Sequence, residues 1–240
     1  MGGSGGILTG VGHVKGDMTF TDVLEDDPDA IASVIEHTNV DPTATEEEIR
    51  TLCREVLDYG FHAAVVVPYH APLAADLLDG RANVVAVVGF PYGVQNTEAK
   101  LAEARALLDH ADELDMVMNR TAFANGDDDL VVRDVRAVKE AIDDRTLKCI
   151  IESPDLTQAE IRRAAELVAQ GGADFVKTAV GYDGPTDASH IEVMRDAVGP
   201  DVGLKASGGI RTFDEAREMV AAGASRIGAS ASVEIYESIP

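Results

Sequence analysis

Three lysines stand in apolar, strand-like segments of this 240-residue chain: Lys148 in LKCIIES, Lys177 in ADFVKTAV and Lys205 in DVGLKASGG. An isolated ammonium is strongly disfavoured in an apolar interior, so such a group finds a carboxylate or gives up its proton. Desolvation lowers the pKa of a lysine, a second cation nearby lowers it further, and the free amine can attack a carbonyl carbon to form a Schiff base. Asp115, in ELDMVMN, can hold one lysine charged or pass protons through a water. The competing reading is an ion-pair network that fixes the interior and does no chemistry. Composition weighs against it. The chain has 14 arginines and only six lysines, namely Lys15, Lys100, Lys139, Lys148, Lys177 and Lys205, and half of the six fall in strand-like segments.

The elements that must position these groups follow from periodicity. Short apolar runs (ASVIEHTNV, HAAVVVP, VVAVVGFP, ELDMVMN, LKCIIES, ADFVKTAV, DVGLKASGG and SRIGAS) alternate with patterns of helical period. One of these, TEEEIRTLCREVLDYG, is acidic in its first turn and ends on glycine, and TQAEIRRAAELVAQGG is another. Strands alternating with helices predict βαβ units and a parallel sheet. Eight such strands predict an α/β fold, a single-domain (β/α)8 TIM barrel, for which roughly 250 residues is typical. An open doubly wound sheet is the alternative, but no G-x-G-x-x-G turn follows the first strand.

The barrel is expected over residues 31–240, with residues 1–30 a Gly-rich tail and lead-in. The opening MGGSGGILTGVGHVKG has no usable periodicity and reads as a tail, an extended start or an expression remnant, with Met18 available as a start. On a barrel, Asp115, Lys148, Lys177 and Lys205 are spaced by about one βα unit each and fall on strands four to seven. Neighbouring strands lie about 4.8 Å apart, so inward-facing side chains on them can meet. The spacing does not decide which amine attacks.

Composition limits what else the chain can be. No run approaches the roughly 18 apolar residues that cross a bilayer, and the N-terminus lacks the regions of a signal peptide, so a cytoplasmic protein without membrane contact is expected. A net charge of −23 without any basic cluster excludes nucleic acid as a partner and suits a salt-loaded cytoplasm, which predicts a halophilic source. Cys53 and Cys149 have no metal-ligand spacing and are too few for a disulfide framework, so they read as buried free thiols. The six histidines show no ligand spacing either, and His37 in IEHTNV reads as a hydrogen-bonded structural residue. No metal and no cofactor are expected, and the oligomeric state is left open, a homo-oligomer included.

ELDMVMN, ADFVKTAVGY, LKASGGIRT and RIGAS, in this order, with IEHTNV and VVGFPYG ahead of them, resemble the deoxyribose-phosphate aldolase family of class I aldolases. The likeness runs from about Ile35 to Ile235. It implies that Lys177 forms the Schiff base, that Lys205 lowers its pKa, that Asp115 relays protons, and that Lys148, with Glu36 and Thr38, supports the pocket. The implied reaction is reversible cleavage of 2-deoxy-D-ribose 5-phosphate to D-glyceraldehyde 3-phosphate and acetaldehyde, without a metal. The phosphate is then expected at the loops after strands seven and eight, on Gly208, Gly209 and Ser230, with Ser232 and Gly181 as further candidates.

The chain departs from the family pattern in several places. It has KTAVG where KTSTG is common, IGASAS where IGTSSG is common, and Glu36 where Asp is usual. VVVP lacks the usual Cys and Asn, and no tyrosine ends the chain, Tyr236 being no safe substitute. These departures bear on substrate recognition more than on aldol chemistry. A phosphate-binding (β/α)8 isomerase or decarboxylase and a non-catalytic metabolite-binding barrel are the rival readings. Neither needs Lys177 and Lys205 together.

Overall fold

Apolar runs become strands and 3.6-residue patterns become helices throughout the computed structural model, which describes residues 19–182 and 184–240. The first half contains α1 (Phe20–Asp26), β1 (Ile35–Asn39), α2 (Glu46–Tyr59), β2 (Ala63–Val66), α3 (Ala71–Leu78), β3 (Asn83–Val88), α4 (Thr97–Leu107) and β4 (Glu113–Val117). It continues with α5 (Arg120–Ala124), α6 (Asp128–Ala141), β5 (Thr146–Ile150), α7 (Gln158–Gln170) and β6 (Phe175–Lys177). The remainder is α8 (Ala188–Val198), β7 (Gly203–Ser207), α9 (Phe213–Ala221), β8 (Arg226–Ala229) and α10 (Ser232–Glu237). Local chemistry sets the helix starts. Thr45, Thr157 and Thr212 each accept from the amide three residues on, while Glu48, Glu160 and Glu215 reach back, forming capping boxes on α2, α7 and α9. Gly60 ends α2 at φ 69°, a left-handed conformation that costs glycine little.

The eight strands close into one parallel barrel, and β8 pairs back onto β1 through Ile35↔Ile227 and Glu36↔Gly228. Alternation along each strand sorts side chains into two sets. Ala64, Val66, Ala86, Leu114, Met116, Cys149, Val176, Leu204 and Ile227 join the core shared with the helices. The opposite set faces into the barrel, where register places Asp115 beside Lys148 and Lys177 beside Lys205. On the β2–β3 side that interior is apolar, with Ala63, Val65, Val85 and Val87 packed together with Val40.

The lead-in before β1 is part of the packed structure where it is described. Thr19 opens α1 with a capping box and Leu24, 1% exposed, enters the main core. Residues 1–18, including Lys15 and Met18, lie outside the described residues. Cys53 and Cys149 are buried and free, and burial pushes their thiols up to about 11 and about 12. Among the described residues no helix is long and apolar enough to cross a membrane. Two further lysines do structural work outside the barrel: Lys100 pairs with Asp134 at 2.5 Å and donates to the Val117 carbonyl, and Lys139 pairs with Asp174 at 2.7 Å.

Candidate active site

Glu36, Glu113, Asp115, Lys148, Lys177, Lys205 and Arg226, drawn from β1 and β4 to β8, form one connected ionic cluster inside the barrel. Asp115 is its centre. One carboxylate oxygen accepts from Lys177 Nζ and from Lys205 Nζ, each at 2.7 Å, and the other accepts from Lys148 Nζ at 3.1 Å. Lys148 is also paired with Glu113 and stands 3.3 Å from Glu36, and Lys205 is paired with Glu36. Arg226 Nε lies 3.6 Å from Glu36 Oε1. The cluster needs a glycine beside it: a Cβ at Gly228 would stand 2.8 Å from Lys205 Cε, so any other residue there displaces that side chain.

These contacts separate the basic groups electrostatically. For Lys148, burial alone would favour the neutral amine, but Asp115, Glu36 and Glu113 outweigh it and hold its pKa above the usual lysine range. Burial opposes ionisation of Asp115 as well, and Lys148, Lys177 and Lys205 outweigh it, keeping the carboxyl well below the usual range. Lys177 is the exception. Burial is its largest influence, Asp115 only partly offsets it and Lys205 adds repulsion, so its pKa falls from 10.5 to about 8. Charge counting gives the same order: the carboxylates of Glu36, Glu113 and Asp115 are balanced by Lys148, Lys205 and Arg226, and a protonated Lys177 would be one cation in excess.

Above the cluster lies a cleft of ≈790 Å³, lined by Lys177 together with Thr38, Gly181, Ser207, Gly208, Gly209 and Ser230 among others. Lys177 is 4% exposed whereas Asp115, Lys148 and Lys205 are 0% exposed. Of the cluster's amines, Lys177 is the one that borders the cleft. Among the described residues no backbone acceptor meets the amides of Gly181, Gly208, Gly209 or Ser230, which leaves these N–H groups available to an anion.

The other expected positions divide. Thr38 lines the cleft, but its hydroxyl donates to the Glu36 carbonyl at 3.0 Å. Ser232 is buried and donates to the Ala229 carbonyl at 2.8 Å, so its hydroxyl is not offered to the cleft. His37 meets Glu55 at 2.9 Å and stands edge-on to Phe61, the hydrogen-bonded arrangement expected of it. Tyr236 packs against Tyr59 and Phe61. Sequence reasoning missed Glu113, which a period of two places on the same face as Asp115, and Arg226, which shares the inner face of β8 with Gly228. Glu36, His62 and Glu113 offer ligand atoms all within 4.8 Å of one another, but both carboxylates are already paired with Lys148, which a divalent cation would have to displace.

A (β/α)8 barrel with a desolvated amine at the foot of its cleft, flanked by a carboxylate and further lysines, has the construction of an enzyme that works on carbonyl compounds. The profile of the DeoC/LacD family aldolase matches residues 22–237. The deoxyribose-phosphate aldolase of Thermococcus gammatolerans is 46% identical over 214 residues, 86% of this chain and 95% of that protein. That of Exiguobacterium sibiricum is also 46% identical, over 85% of this chain and 95% of its own. Among solved structures, the deoxyribose phosphate aldolase of Aeropyrum pernix, described as a tetramer, superposes with a TM-score of 0.82 at 34% identity, covering 90% of this chain and 94% of its own. The chain belongs to the DeoC/LacD aldolase family.

Proposed function

We propose that this aldolase cleaves 2-deoxy-D-ribose 5-phosphate reversibly to D-glyceraldehyde 3-phosphate and acetaldehyde, through a Schiff base on Lys177. The observation that carries the reading is the single amine bordering the cleft with its pKa drawn down to about 8, beside the fully buried Lys205 and Asp115. The neutral amine attacks carbon 1, a C–N bond forms, and water leaves to give the iminium. When the bond between carbons 2 and 3 breaks, its electron pair moves into the iminium, the hydroxyl on carbon 3 loses its proton, and glyceraldehyde 3-phosphate departs. The enamine is protonated at carbon 2, and water returns to release acetaldehyde and the free amine. Asp115 stays anionic, steadies the iminium, and with Lys205 forms the polar path along which protons cross. Lys148 and Glu36 hold Asp115 and Lys205 in place.

The phosphate lies against the amides of Gly181, Gly208, Gly209 and Ser230. Ala179 and Val180 bring no hydroxyl there and Ser232 turns its own away, so backbone N–H groups carry most of the contact, with the hydroxyls of Ser207 and Ser230 beside them in the cleft. Each neutral hydrogen bond contributes about 0.5–1.5 kcal/mol, so two or three absent hydroxyls reduce the preference for phosphate by roughly one to three orders of magnitude relative to a member that has them. Comparing kcat/KM for deoxyribose 5-phosphate and deoxyribose checks this, and discrimination equal to such a member's would show the hydroxyls to be dispensable.

The reaction itself is tested by borohydride reduction with acetaldehyde, which should leave an N-ethyl adduct on Lys177; a phosphate-binding isomerase or decarboxylase would gain none. A cytoplasmic location and a homo-oligomer complete the reading, the latter supported by the tetrameric structure of the Aeropyrum pernix relative.

A further inference from the structure

The surroundings of Lys177 have two unlike sides. One holds the carboxylates and lysines of the cluster. On the other, Val117, Ile150 and Val180 form an apolar patch that meets Phe90, and Phe90 also packs on the cluster of Val40, Val65, Val85 and Val87. Tyr182 stands over this apolar side. Its ring meets Phe90 edge-on, with centroids 5.6 Å apart and planes at 73°, and its hydroxyl donates to the Val40 carbonyl at 2.8 Å, which ties the segment after β6 to the end of β1. The same ring lines the cleft alongside Lys177 and Val180 and remains 50% exposed. A large aromatic side chain fixed at both its edge and its hydroxyl, yet left half in solvent beside a reactive amine, presents a rigid wall to whatever binds there.

We infer that Tyr182 is a specificity-determining residue of the aldol reaction: it closes the apolar side of the Lys177 amine, so that in the synthetic direction the donor aldehyde carries only a small group on carbon 2 besides the bond it forms to the phosphorylated partner. The inference rests on the Lys177 reading and adds which carbonyl compounds the amine accepts. An alkyl substituent on carbon 2 of the iminium cannot lie among Asp115, Lys148 and Lys205 without separating ion pairs that are buried and mutually satisfied. The direction of Gly208, Gly209 and Ser230 is taken by the phosphorylated partner. The substituent is therefore driven toward Val180, Phe90 and Tyr182, where the tyrosine ring occupies the space. A methyl group fits and a longer chain meets the ring.

Competition of acetaldehyde against butanal as donors to D-glyceraldehyde 3-phosphate, read as the ratio of the two aldol products, tests this in the wild type, Tyr182→Ala and Tyr182→Phe. The readout is the ratio of the two products within each protein, so a general loss of reactivity cancels. Removing the ring should raise the butanal-to-acetaldehyde ratio by about tenfold or more, the scale on which apolar pockets discriminate by a methylene or two. Tyr182→Phe, which keeps the ring on Phe90, should hold the wild-type ratio to within about twofold on the same scale. An unchanged ratio in Tyr182→Ala overturns the assignment to Tyr182 and leaves Lys177 untouched, and so does a Tyr182→Phe ratio that rises as far as that of Tyr182→Ala. A wild type in which borohydride traps no acetaldehyde at Lys177 overturns the Lys177 reading and this inference with it.

Discussion

Replacing Lys177 with leucine should lower retro-aldol activity by roughly four orders of magnitude or more, because the step that makes the electron sink is lost with the amine. The variant should nevertheless fold. The ammonium of Lys177 is disfavoured in the native state, since its pKa lies at about 8 there against 10.5 for the free side chain. A lysine depressed on folding binds fewer protons when native than when unfolded between those two values, so native stability rises with pH across that window. The penalty is fully present below pH 8 and disappears above the unfolded pKa. It amounts to about 3 kcal/mol. Lys177→Leu removes it while Lys148 and Lys205 still hold Asp115, so its unfolding midpoint at neutral pH should be no lower than that of the wild type. Activity assays, adduct mapping and thermal unfolding check the two halves together. Retained activity, or a borohydride adduct on Lys205 or Lys148, would sink the assignment.

Lys205→Leu should act differently, through charge rather than through the nucleophile. Lys205 repels a proton on Lys177, and it supplies one of the three basic groups that balance Glu36, Glu113 and Asp115. Without it the cluster has three carboxylates and two remaining partners, so Lys177 becomes the third cation. Its pKa rises back toward 10.5, and the pH at which activity appears moves upward with it. At neutral pH the free-amine fraction falls by about two orders of magnitude, and activity with it. Stability should fall too, as Glu36 keeps only Lys148 at 3.3 Å and Arg226 at 3.6 Å. The decisive measurement is the pH profile of the folded variant. A wild-type profile in Lys205→Leu would show that the two lysines are not coupled.

Much of this arrangement is legible in the residues. The eight strands follow from apolar runs, the helix starts from Thr and Glu placed three apart, and the meeting of Asp115 with three lysines from one such residue per βα unit. What periodicity does not reveal is depth. Lys177 and Lys205 are register partners, yet one borders the cleft and the other is sealed beneath it, for β6 ends at Lys177 whereas β7 runs on past Lys205 through Ser207. Glu113 and Arg226 escape notice for another reason. Each opens its strand, where a charged residue ordinarily reads as solvated, and only barrel closure carries both to buried partners. Tyr182 lies in a loop, where no periodicity assigns a direction to a side chain. Ser232 is adjacent in sequence to the phosphate loop, but its hydroxyl is taken by the Ala229 carbonyl at the start of α10.

The order of the cluster's charges along the chain has a consequence for how the molecule is assembled. Every carboxylate in it, Glu36, Glu113 and Asp115, belongs to the first half of the chain, and every base, Lys148, Lys177, Lys205 and Arg226, to the second. Neither half contains the counter-charges that would let it bury its own inner face, so a half-barrel made alone would carry unpaired ions into its interior or leave that face wet. During synthesis the early strands must therefore wait, open or loosely associated, for bases encoded far downstream, as the pairing of Glu36 with Lys205 across 169 positions requires. Split between β4 and β5, the chain would yield two fragments of opposite inner charge, each the missing counterion of the other.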